Sequence, residues 1–72
     1  MQVFRVWPKR IRRANGQVIS PEMVVIVTLK HHASSPFAGA ASEVKASYMN
    51  IYRCDISKLG CTASDFNYTA IG

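Results

Sequence analysis

Glu22-Met23-Val24-Val25-Ile26-Val27-Thr28-Leu29 is the longest nearly unbroken apolar run in this chain, and its centre is valine and isoleucine. β-Branched residues are stiff at χ1 and pack well on a pleated surface, so the run reads as a strand. Met23, Val25, Val27 and Leu29 alternate onto one face, Val24, Ile26 and Thr28 onto the other. Both sets are mostly apolar, so the strand calls for cover on two sides: a helix on one, and a second sheet, a loop or another subunit on the other. Ile26 is therefore expected to be buried.

The chain has 72 residues and reads as a single domain over 1–72. A domain this short buries only roughly 60–65% of the surface its unfolded form exposes, which leaves a thin margin of stability without a staple or a partner. Cys54 and Cys61 lie seven positions apart and would close only a short, weakly stabilising loop. The N-terminal stretch interrupts Val3, Phe4, Val6 and Trp7 with Arg5 and meets Pro8 at once, unlike the apolar core of a signal peptide. No apolar run approaches the roughly 20 residues of a membrane-spanning helix. The expectation is a cytoplasmic, non-membrane protein with reduced thiols.

Before the organising strand, Gln2–Arg13 reads as a first strand interrupted by Pro8, which cannot donate a ladder hydrogen bond and argues against a central position along its whole length. Beyond Pro8, Ile11 is the one residue that calls for burial, and Lys9 to Arg13 otherwise reads as a solvated ribbon arm. Asn15-Gly16 predicts a type I′ hairpin turn, because both residues tolerate positive φ. Ser20-Pro21 adds a second turn.

After the organising strand comes a linker over 31–39 with Phe37 as its anchor, then a helix. Val44, Ser47, Tyr48, Ile51 and Tyr52 share one helical face, Ser42 suits the N-cap, and the helix spans about 41–53. Ile51 is expected in the core. Asp55 to Gly60 predicts a further short turn, capped by Asp55 and stopped by Gly60, with Ile56 and Leu59 tucked inward. The tail 65–71 alternates as a last strand, with Phe66, Tyr68 and Ala70 on one face. It would run parallel to the organising strand, and its neighbour stays open. The expected fold is α+β, a small β-β-α-β domain: a twisted antiparallel ribbon or sheet with one main helix packed on it.

Asn15-Gly16, the run Met23-Val24-Val25-Ile26-Val27, the helix end Met49-Asn50-Ile51-Tyr52-Arg53-Cys54-Asp55-Ile56 and the terminal Ala70-Ile71-Gly72 together carry a resemblance. The chain resembles a family of small uncharacterised proteins of about this length, a domain of unknown function from Bacteroidetes gut bacteria. In that family a glycine-methionine pair opens the second long strand; Glu22 stands here in place of the glycine, which leaves the turn type open. The resemblance implies a fold and no active site, since no activity is established for the family.

Chemistry is sparsely represented. His31, His32, Cys54 and Cys61 lack the paired spacing that presents two donors to one metal, so no metal site and no cofactor is expected. A Cys54–His31 dyad would set its thiolate at the wrong pole of a helix. With no paired carboxylates either, no enzyme is expected.

The formal charge of +5 leans on Arg5, Lys9, Arg10, Arg12 and Arg13, a cluster with no acid among it. A basic ribbon of this kind can follow a phosphate backbone, with Trp7 stacking on an exposed base; its plain alternative is a solvated arm. Arg10 and Arg12 leave one face while Lys9 and Arg13 leave the other, which weakens the nucleic-acid reading. The leading expectation is instead a protein-interaction or self-assembling module, with a protein partner or a second copy meeting Trp7, Tyr48, Tyr52 and Tyr68 as interface anchors.

Overall fold

The computed structural model describes residues 2–31, 34–37, 42–60 and 63–71. Five strands and one α-helix follow the order β1 (Gln2–Pro8), β2 (Arg12–Ala14), β3 (Gln17–Ile19), β4 (Val25–Leu29), α1 (Ser42–Tyr52) and β5 (Phe66–Ala70), with 3-10 helices at Ile56–Leu59 and Ala63–Asp65. The fold is α+β as expected. The first strand divides in two at the bend after Pro8, and the organising strand is confined to its C-terminal five residues.

The main sheet has the order β4-β1-β5, with both outer strands antiparallel to β1 and so parallel to each other. The N-terminal strand, not the valine-rich one, is therefore central. Pro8 permits this because of ladder alternation. Ile71 N–H bonds Val3 O and Lys9 N–H bonds Asp65 O, so the odd residues of β1 serve β5 and the even ones serve β4. The β4 ladder ends at Val6↔Val25, so the N–H that Pro8 lacks falls beyond its last rung.

One face of the sheet forms the core. Phe4, Val6, Val25, Val27, Leu29 and Phe66 are buried there, joined by Val44 and Tyr48 from α1. The helix is fastened to the entry of β4 by two hydroxyls: Tyr48 Oη donates to Met23 O at 2.9 Å and Tyr52 Oη to Val24 O at 3.0 Å. Ile51, expected in the core, is 57% exposed: the buried side of α1 runs through Val44 and Tyr48, and in the last turn Tyr52 continues it with its hydroxyl on Val24 O. Arg53, at φ 55°, ends the helix in a left-handed conformation, with its N–H on Met49 O. In the linker, Phe37 packs its ring against Phe66 and Tyr68 at 5.5 and 6.0 Å, as an anchor should. Residues 32–33 and 38–39 of that linker lie outside the described residues.

Asn15 and Gly16 both take positive φ, 52° and 78°, and turn β2 into β3. The hairpin is docked, contrary to the expected free arm. Asn15 Nδ2 donates to Lys58 O at 2.7 Å, Arg12 Nη2 to Leu59 O at 3.2 Å, and Asp55 N–H to Gln17 Oε1 at 3.0 Å. The receiving turn is built as its sequence predicts, with the Asp55 carboxylate accepting from Ser57 N–H and Gly60 at φ 67°. Docking selects the opposite face from the one expected. Ile19 is fully buried beside Arg12 and Ala14, whereas Ile11 is 62% exposed, because it shares the outward face with Arg13 and Val18.

Candidate interaction surface

Helix α1 covers one face of the sheet, and the hairpin docks on the Ile56–Leu59 turn instead of on the other face. The alternation of β1, β4 and β5 then leaves a second face with three rows. Val3 lies between Thr28 and Ile71, Arg5 between Ile26 and Thr69, and Trp7 next to Asn67 and toward Val24. Ile26 is 49% exposed; Val24, Arg5, Thr28, Thr69 and Ile71 are exposed as well, and Trp7 and Val3 are half-buried. Ile26 was expected inside on the premise of cover on both faces. Among the described residues no element supplies that second cover, since the only α-helix lies on the opposite side.

The electrostatics of this face are one-sided. Arg5 is its cation, and none of the four acidic residues of the chain lies in β1, β4 or β5. Among the described residues the one ion pair is Arg12–Asp65, and Arg5 takes no part in it. A shallow cleft of about 300 Å³ opens between Arg5, Trp7, Pro21 and Val24. It sets a guanidinium beside an indole, a proline ring and an aliphatic side chain.

The basic residues read together in the sequence part company. Arg5 sits mid-strand on the open face. Lys9 and Arg10 are exposed in the bend after β1, and Arg13 points outward from the hairpin. Arg12 is turned inward, its guanidinium shared between Asp65 Oδ1 and Leu59 O, so it is half-buried and not the free cation expected. Pairing explains the difference: a guanidinium with two acceptors in a fixed fork geometry is well held at a partly buried seam.

The aromatic residues divide as well. Trp7 alone of the four expected anchors belongs to the open face. Tyr48 is fully buried, where its ring fills the core and its hydroxyl finds a carbonyl, so it is a packing residue and not an interface anchor. Tyr52 is held by Val24 O and Tyr68 meets Phe4 edge-on at 5.8 Å, each leaving one side exposed.

Cys54 is buried, its Sγ 3.6 Å from Val18 O, and burial pushes its thiol above the ordinary range, away from nucleophilic thiolate chemistry. His31 is exposed. His32 and Cys61, the other members of the conceivable ligand set, lie outside the described residues, among which no three His, Cys, Asp or Glu side chains gather. No helix of the described residues is long and apolar enough to cross a membrane.

Sequence reasoning allowed another subunit on this side but took Ile26 as buried and did not single out the face that joins Arg5, Trp7 and Ile26, although one signal for it was present. A strand apolar on both sides, in a chain with a single long helix, has one side more than the helix can cover.

The model of a family of unknown function, DUF6140, matches residues 1–68. No curated protein and no solved structure matches the chain.

Proposed function

The chain belongs to that family, which assigns it no activity, and we propose that it is a non-catalytic protein-interaction module working through the open face of its sheet. The observation that supports this most is the exposure of Val24 and Ile26 beside the half-buried Trp7, and of Ile71 at the other end beside Val3, on a face that no described element covers. Contiguous exposed apolar surface of this kind, rimmed by polar residues, is characteristic of docking sites. A cytoplasmic setting suits the free thiol of Cys54.

The second reading, nucleic-acid binding through the basic ribbon, draws on the exposure of Lys9, Arg10 and Arg13. It is weakened by the engagement of Arg12 with Asp65.

A photo-crosslinking amino acid placed at Ile26, and in a control at the exposed Lys45 on α1, tests the first reading. Protein adducts, to a second copy or to another chain, are expected from position 26 and not from position 45. Nucleic-acid adducts, or equal labelling from both positions, overturn it. Size exclusion with light scattering at two salt concentrations, with and without a mixed DNA duplex, separates the second reading. A salt-sensitive shift with duplex supports the ribbon; its absence removes it.

A further inference from the structure

Resting on the reading of the open sheet face as a docking surface, we propose that its occupant is an extended acidic polypeptide segment, which sets a carboxylate against Arg5 and apolar side chains against Trp7 and Ile26. Charge complementarity selects this occupant. Arg5 stands in the middle strand, exposed, with Ile26 directly opposite on one side and Thr69 on the other. Among the described residues no side chain pairs with the Arg5 guanidinium, Glu22 beside Pro21 at the cleft rim included, so it is open to an acceptor from outside. Its planar fork matches a carboxylate with two parallel hydrogen bonds.

The spacing fits as well. Arg5 and Trp7 are two residues apart on one strand face, roughly 7 Å, and an extended partner repeats its own side chains at the same interval. A partner residue bearing a carboxylate above Arg5 thus brings an apolar side chain over Trp7, where Pro21 and Val24 wall the cleft of about 300 Å³.

A second copy fits less well. Two such faces brought together oppose two central strands that each carry Arg5, with no carboxylate in the strands of either. A nucleic acid fits less well too, because it adheres through several phosphate contacts and this face offers one arginine amid Val3, Val24, Ile26 and Ile71.

Trp7 is the single tryptophan of the chain and reports directly from the face. The intact protein is titrated with a blocked peptide of sequence Val-Thr-Glu-Thr-Val-Thr-Glu-Thr, with its lysine-for-glutamate counterpart, and with oligothymidylate of equal length. A saturable change in Trp7 emission is expected with the glutamate peptide, weaker at high salt and absent with the lysine peptide. Arg5→Glu should weaken the glutamate peptide by about ten-fold or more and admit the lysine peptide. Arg5→Gln, which keeps a polar side chain, should lose the first without gaining the second. Melting curves identify any variant that fails to fold, and the parent's preference between the two peptides stands independently of it. No saturable change with either peptide, equal affinity for both, or tighter binding of oligothymidylate overturns the proposal. Crosslinks from position 26 to a second copy or to an uncharged protein segment would then leave the docking reading standing and remove only the acidic partner. Loss of those crosslinks as well removes both.

Discussion

Arg12 Nη1 lies 2.9 Å from Asp65 Oδ1, across 53 positions of chain, and this pair ties the hairpin to the start of β5. Asp65 is nearly buried and its backbone carbonyl holds Lys9 N–H, so side chain and main chain of one residue clasp both ends of the bend between β1 and β2. Arg12→Ala should therefore destabilise by roughly 1–3 kcal/mol, because a nearly buried carboxylate loses its cation and Leu59 O loses a donor. Arg13→Ala, on the outward face, should shift the melting temperature by far less. Equal shifts for the two variants in thermal melts would contradict the docked hairpin.

The two tyrosines of α1 differ in what their hydroxyls leave behind. Tyr48→Phe leaves Met23 O without its hydroxyl donor at a part-buried site and should lower stability by roughly 1–2 kcal/mol. Tyr52→Phe frees Val24 O at an exposed one, where water replaces the hydroxyl, and should be close to neutral. Urea titrations of the two variants measure the difference, and a larger loss for Tyr52→Phe would overturn the assignment of the helix seat.

Hydrogen exchange should follow the ladder. The slowest amides are expected in β1, at Phe4, Arg5, Val6 and Trp7, since each is paired to a neighbour on one side or the other. In β4, Val25, Val27 and Leu29 face β1 and should be slow, whereas Ile26 and Thr28 point to the sheet edge and should exchange fast. Uniform protection along β4 would mean that the edge is covered.

Asp55 supplies the pH dependence. Its carboxylate is held below the ordinary 3.8, chiefly by the Ser57 hydroxyl, with the Ser57 N–H and the charges of Lys58 and Lys45 adding to the effect. A folded-state value below the unfolded one stabilises at neutral pH, and the contribution is lost as pH falls through the folded value. Asp55→Ala should therefore lower the melting temperature at pH 7, and the gap to the parent should close as pH falls through the lowered folded value. A gap that persists in acid would assign the effect of Asp55 to something other than its charge.

How much of this was legible in the sequence follows from the range of each interaction. Asn15-Gly16, the Asp55 to Gly60 turn and the extent of α1 are decided by contacts within a few residues, and all were readable. So was the alternation of Val25, Val27 and Leu29, which is a property of any strand. Which alternating face receives the helix is not local. Ile26 and Val25 are both β-branched and adjacent, and only the seat of α1, fixed by Val44, Tyr48 and the Tyr48 hydroxyl, buries one and exposes the other.

The sequence by itself determined the composition of the open face, since Arg5, Trp7 and Ile26 carry their charge and apolar area wherever they lie. Tertiary structure decided that they lie together. Pairing β1 between β4 and β5 sets residues far apart in the chain into one row, and the same pairing draws Arg12 away to Asp65 while leaving Arg5 outside. Periodicity tells each residue which side of its own strand it occupies; strand order and the placement of a single helix determine which of those sides meets water.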